Sequence, residues 1–168
     1  MAEDQVAPQA FDCWDSSFPA LGQSPDGHLI EIRYLRGVQA DWFTEDAHHL
    51  FLENLYKISP ASDRTGTRLN GPKLRLREPR EMVSQPVVAG SVQVPPEGQP
   101  IVLMSERQTI GGYPQISHVI SADIPKLARA WPGTQVRFRQ VDLDEARHAW
   151  NELQHDLAIL NTGLMLAI

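Results

Sequence analysis

Two polar segments of the chain hold side chains suited to chemistry. The first, residues 59–71, carries Asp63, Arg64 and Arg68 on a glycine-bearing loop. Asp and Arg this close can form a bidentate pair that stiffens the turn. Alternatively one guanidinium stays free to hold a carboxylate or phosphate. The second, residues 89–114, places Gln93 ahead of Pro95-Pro96 and follows an apolar run with Arg107, Gln108 and Thr109, then Gly111-Gly112-Tyr113-Pro114. A rigid strand that delivers Arg, Gln and Thr into a glycine loop can make an oxyanion or phosphate cradle. A tight hairpin whose Gln and Thr serve their own backbone fits the same residues. Because both loops follow apolar elements, Arg64, Arg107, Gln108 and Tyr113 are expected to converge on one cleft as anion and carbonyl stabilisers, in the catalytic role. Asp63, Arg68, Gln93, Thr109, Gly111 and Gly112 are the expected substrate-binding positions.

Generic catalytic motifs are absent. There is no Walker loop, no G-x-G-x-x-G, no G-x-S-x-G and no H-E-x-x-H. No metal site is expected. His48 and His49 are adjacent and diverge on a helix, and His148 and His155 sit two turns apart, too far for one ion. The alternating run Lys73-Leu74-Arg75-Leu76-Arg77 reads as a strand with a solvated cationic face. On that reading Arg75→Ala changes little, whereas Arg107→Ala costs a large factor in turnover.

A net charge of −6 gives no global basic field for nucleic acid or an anionic membrane. The single cysteine, Cys13, excludes an internal disulfide and a cysteine cluster for zinc. The acidic start, Met1-Ala2-Glu3-Asp4, is unlike a signal peptide. The apolar tail after Leu157 is short of a membrane span. A cytoplasmic protein is expected.

The elements that would position these loops form a mainly β, single-domain pattern with a few helices. Residues 1–28 read as a loosely structured arm, with Trp14 and Phe18 as anchors. The body spans 29–157, and 158–168 form an apolar C-terminal extension. Leu29 to Tyr34 alternates as a strand. Thr44 caps a short helix to about Leu55, with Glu45 and Asp46 in its first turn. Residues 59–71 read as loop and Asn70-Gly71-Pro72 as a turn. Strands are expected over 87–94, 101–104, 116–120 and 135–141. Pro95 to Gly98 suits a type I turn. Asp123 is placed to cap a helix over 124–131. Asp142 and Glu145 have capping-box spacing, and Leu143, Ala146, Trp150, Leu153 and Leu157 form one stripe of an amphipathic C-terminal helix.

The two polar segments also carry a family resemblance. Residues 62–71 resemble the S-D-R-x-G-x-R-L-x-G signature of the biotin-dependent carboxyltransferase-like family, which includes allophanate hydrolase subunit 2, the C subunit of bacterial 5-oxoprolinase and urea amidolyase relatives. Residues 90–114 are similar to its Q-V-P…Q-T-x-G-G-Y-P signature. Residues 37–43 and Pro132-Gly133 match further segments. Val38 stands for the usual Pro, Glu106 for Asp, and Thr65 and Thr67 for Met and an aromatic residue. The resemblance covers about 30–150, the C-terminal half of the family pattern, and residues 1–28 do not carry it.

The resemblance implies a cyclophilin-like β-barrel subdomain. It implies a component like the C subunit of an ATP-dependent 5-oxoprolinase, or of a related urea amidolyase or carboxyltransferase, acting on an amide. That component would work as part of an enzyme complex with A- and B-like subunits or with a missing N-terminal half. ATP is the implied cofactor, and carboxybiotin in a urea carboxylase relative. A noncatalytic module that antagonises a sensor-kinase inhibitor, or a truncated remnant, is the alternative. The apolar C-terminal residues are expected to dock another chain, and no turnover is expected from this chain alone.

Overall fold

A computed structural model of the chain describes residues 28–166. The expected anchors Trp14 and Phe18 lie outside the described residues. In chain order the elements are β1 (Leu29–Arg36), α1 (Glu45–Glu53), β2 (Leu55–Ile58), β3 (Gly66–Asn70), β4 (Gln85–Pro86), β5 (Ser91–Gln93), β6 (Ile101–Leu103), β7 (Ile110–Gly111), β8 (Gln115–Val119), α2 (Ile124–Ala128), β9 (Gln135–Gln140) and α3 (Leu143–Leu166). Seven strands close a barrel in the order β1-β8-β5-β6-β3-β2-β9, and β4 pairs with β7 outside it. The mainly β class, the barrel and the C-terminal helix are as the sequence predicts. β1 pairs in parallel with β9, with Ile32 opposite Phe138, while the other barrel pairings are antiparallel.

The alternation of β1 turns Ile32 and Tyr34 into the barrel core, with Ile30 packed against it. One helix closes each end. At the first, Thr44 Oγ1 accepts a hydrogen bond from Ala47 N at 3.1 Å and starts α1, an N-cap that satisfies an orphan donor of the first turn. The helix carries Phe51 into the core, where its ring stacks on Phe138 with centroids 4.2 Å apart. Tyr34 and Tyr56 flank Phe51 at 5.1 and 5.8 Å. At the other end α2 contributes buried Leu127 to the same core.

Several boundaries differ from expectation. α1 stops at Glu53, and Leu55–Ile58 is a strand with Tyr56 and Ile58 buried. The polar segment 59–71 contains β3, which buries Thr67 and Leu69. No strand forms over 73–77; Leu76 makes one isolated bridge to Phe43. The strand expected at 87–94 is β5 alone, preceded by a kink at Gly90 with φ +90°.

Asp123 precedes α2 but does not cap it. Its fully buried carboxylate instead accepts from Arg33 N, Nε and Nη2 at 2.8, 3.0 and 2.8 Å and pairs with Lys126 Nζ at 2.9 Å. Burial alone would push its pKa up, but the Arg33 and Lys126 hydrogen bonds outweigh it and hold the carboxyl below its ordinary value. Removing one partner of a buried pair leaves the other charge uncompensated. Asp123→Ala should therefore cost about 3 kcal/mol near pH 7, the low end for such pairs because Arg33 is partly solvated. The depressed folded pKa means that this contribution is full above the unfolded value of about 3.9 and is lost as pH falls through the folded one. Melting temperatures of wild type and variant should thus converge below about pH 4, and a gap constant with pH would refute the assignment.

Asp142 Oδ1 accepts from Glu145 N at 2.8 Å at the start of α3. The helix continues to Leu166, through the expected extension. Its first turns pack, with Ala146 and Ala149 against Ile120, Val141 and Leu35. The predicted stripe is mostly exposed further out, Trp150 and Leu157 included. No helix among the described residues is long and apolar enough to cross a membrane.

Candidate functional site

The register of the barrel decides which candidate residues meet. β3 and β6 are antiparallel, with Gly66 opposite Leu103, so residues 62–66 and 104–107 lie together at the α2 end. Met104 N donates to Thr65 O at 2.9 Å and Glu106 N to Arg64 O at 3.0 Å. Arg64 crosses to Glu106 at 2.6 Å rather than pairing with Asp63. The Asp63 carboxylate instead takes Thr65 Oγ1 at 2.5 Å, Thr65 N at 2.8 Å and Gly66 N at 3.1 Å. Those bonds, Thr65's hydroxyl first, hold its pKa below the ordinary carboxylate range. Arg107 Nη1 reaches Ser105 O at 3.4 Å, and its Nε is buried with no partner. Arg68, Gln108 and Thr109 are exposed, and Thr109 O accepts from Val87 N at 2.9 Å.

Tyr113 is elsewhere. β5 and β8 are antiparallel with Gln93 opposite Gln115, which puts Gln93, Val94 and Tyr113 at the α1 end. The expected single cleft is therefore split: Arg64 and Arg107 occupy one end of the barrel and Tyr113 the other. Gln93 is buried, and its Nε2 donates to Tyr113 O at 3.3 Å. Its carboxamide lies over Gly111 so closely that a Cβ there would sit 2.4 Å from Nε2. A side chain at position 111 would therefore displace the Gln93 carboxamide. The Pro95 to Gly98 turn closes as predicted, with Gly98 N donating to Pro95 O at 2.9 Å. Gly98 O accepts from Leu74 N at 2.9 Å, which moors the Lys73 to Arg77 run to the turn.

These loops wall a cleft of about 870 Å³. Lys73, Arg75 and Arg80 supply its cations, and Tyr113, Pro95 and Pro96 a rigid apolar wall. Glu81 and Glu97 also line it. Arg80 lies 5.2 Å over the Trp42 ring and 3.7 Å from Glu78. Lys73 and Arg75 have no ion pair among the described residues. The alternation at 73–77 holds, with Leu74 buried and both cations exposed. Sequence reasoning passed over Lys73 and Arg75 as solvated because their environment is made by residues 94–98 and 112–114, distant in the chain. A cleft with two unpaired cations beside a rigid wall can fix a carboxylate or phosphoryl group and orient the body of a ligand. Its residues suit the anionic part of a phosphorylated or carboxylated molecule. No group of three His, Cys, Asp or Glu that could hold a metal ion occurs among the described residues.

Residues 3–140 match the family model described as the carboxyltransferase domain, subdomains A and B. The match begins well before Leu29, so the first segment, expected to lie outside the family pattern, falls within it. The chain is 43% identical over 126 residues to the 5-oxoprolinase C subunit of Haemophilus influenzae, covering 75% of this chain and 41% of that protein. It is 40% identical over 123 residues to the Escherichia coli counterpart, covering 73% and 40%. The chain thus spans less than half the length of these relatives. The crystal structure of Kluyveromyces lactis urea carboxylase superimposes with a TM-score of 0.68 at 21% identity, over 77% of this chain and 12% of that one. That likeness is one of fold.

Proposed function

The chain belongs to the carboxyltransferase domain family, subdomains A and B, and on that premise we propose that it acts like the C subunit of an ATP-dependent 5-oxoprolinase or of a related amidolyase or carboxyltransferase. The observation that carries the proposal is the 43% identity to a 5-oxoprolinase C subunit. The geometry supports it with a cleft whose free cations suit an anionic substrate or intermediate. Lys73 and Arg75 hold the anionic group, and Tyr113 and the Pro95-Pro96 wall position the rest. The Arg64–Glu106 pair and Arg107 stiffen the far end. ATP enters through the assembly with A- and B-like subunits in the cytoplasm, and turnover belongs to that assembly.

Co-expression with A- and B-like subunits tests this directly. The chain should co-purify with them, and glutamate should form from 5-oxoproline only with ATP and all components present. Failure to co-purify, or an inactive complete assembly, overturns the proposal.

A further inference from the structure

α3 carries an apolar pattern that the barrel leaves unused. Leu143, Ala146, Trp150, Leu153, Leu157 and Leu160 follow one another at alternating steps of three and four residues, and Leu164 continues the spacing in the sequence. This seven-residue repeat, held over about three heptads, keeps one seam of a helix facing a second helix. A straight helix with a period of 3.6 would let such a stripe drift around its surface. The body covers the start of the seam, where Ala146 and Ala149 meet Ile120, Val141 and Leu35. From Trp150 to Thr162 the residues are exposed, apart from a half-buried Leu153. On the seam Trp150, Leu157 and Leu160 stand 43%, 49% and 46% exposed. A solitary helix of this length is marginal in water, and packing of its apolar face is what ordinarily stabilises it. Among the described residues no other helix can supply that packing, since α1 has nine residues and α2 five, and both close onto the barrel. The seam also lies beyond residues 3–140, which match the family model. The helix that carries its complement is α3 itself.

We propose that α3 joins two copies of this chain as an antiparallel two-stranded coiled coil, in which Leu157 packs against Leu160 of the second copy. Sterics and charge both set the orientation. Ala146 is a seam position, so the body sits on the seam side at the start of α3. Parallel helices about 8–10 Å apart would drive two bodies into the same space, whereas antiparallel helices place them at opposite ends. The charged residues of α3, Asp144, Glu145, Arg147, Glu152 and Asp156, all lie in its first part, and residues 157–166 carry none. An antiparallel pair sets each acidic part beside the uncharged part of the other copy and opposes the two helix dipoles. In this register Gln154 falls beside the second copy's Asn161 at the edge of the seam, where two carboxamides can pair. Asp156 meets no like charge. The seam is short, below the roughly 1,000 Å² of a permanent interface, so the dimer is a weak one with a Kd of about 10 µM. The inference stands on α3 alone and does not depend on the reading of the cleft.

The test is sedimentation velocity of the full chain from about 1 to 100 µM, with two variants. The native chain should pass from monomer to dimer across that range. Leu157→Glu should weaken association at least about ten-fold, since it places a charge in the seam. Ile159→Glu alters a residue that is 57% exposed but lies off the seam, and it should leave dimerisation unchanged. Spin labels report the orientation. In a Cys13→Ser, His148→Cys chain the two labels of the dimer should lie about 30 Å apart or more, because antiparallel pairing separates the sites by about 21 residues of helical rise. Parallel pairing would bring them within about 20 Å. A monomer at every concentration, an equal loss from Ile159→Glu, or the short distance overturns the proposal. If the native chain stays monomeric and Leu157→Glu instead loses co-purification with A- and B-like subunits, the seam belongs to them and the proposal falls. Should Leu157→Glu misfold, sedimentation of the native chain and the label distance still decide. None of these outcomes bears on the ATP-dependent assay of the assembly.

Discussion

Replacing Lys73 and Arg75 together by alanine should lower kcat/KM of the assembled complex for 5-oxoproline by about 10²-fold or more, the scale for loss of a preorganised charge stabiliser. Both cations line the large cleft and neither is committed to an ion pair. Their charge is therefore available to a ligand rather than spent within the fold. The apolar wall of prolines and Tyr113 excludes water on one side, which strengthens their field. Neither side chain is buried, so the double variant should melt within about 4 °C of wild type, as two surface substitutions do. Two comparisons give the result its meaning. Arg147→Ala, exposed on α3 and paired with Asp144, should leave kcat/KM unchanged. Arg107→Ala should cost less than ten-fold, because Arg107 lies at the opposite end of the barrel. An unaffected double variant beside a 10²-fold loss at Arg107 would move the site to the α2 end.

Phe51→Ala should destabilise the chain by about 3–5 kcal/mol, the range for deleting a buried aromatic ring. Phe51 is fully buried and touches Tyr34, Tyr56 and Phe138, three rings from three different strands. Nothing nearby can collapse into the space, because the barrel strands that carry those rings are held by their ladders. At about 2–4 °C per kcal/mol for a chain of this size, the melting temperature should fall by about 6–20 °C. Leu52→Ala, at the next and partly exposed position, should stay within about 1 kcal/mol. Urea unfolding of both variants measures the difference, and equal midpoints would show that α1 is not the plug of the barrel.

Much of the fold was legible because local chemistry and tertiary role agree. β1 and β9 alternate over enough residues for the two-residue period to stand out. Thr44 and Asp142 cap their helices where the sequence places them, since an N-cap is a local interaction. β2 escaped notice because a single residue, Asn54, separates it from α1, and Leu55 continues the helical spacing. β3 was hidden by composition. Its buried Thr67 and Leu69 alternate with Arg68 and Asn70 inside a run rich in polar residues and glycine, where a loop is the simpler reading. The site was legible as motifs but not as a place. Arg64 meets Glu106, and Gln93 meets Tyr113, only through the register of antiparallel strands. No spacing within one segment reports which end of a barrel it occupies. Asp123 failed as a cap for a related reason, since Arg33, ninety residues earlier in the chain, competes for its carboxylate.

The parallel pairing of β1 with β9 also has a consequence for how the chain is made. Roughly a hundred residues separate Arg36 from Gln135, which at about 5–20 residues per second is about 5–20 s of synthesis. Through that interval β1 and β2 each lack the neighbour that will join them, and both present unpaired backbone edges of the kind that recruit other strands. β8 precedes β9 in the chain and can pair with β1 first, which leaves a gap one strand wide for β9 to fill. The chain is at its most aggregation-prone while the barrel stands open, and that state ends only when β9 has emerged from the ribosome and docked between β1 and β2.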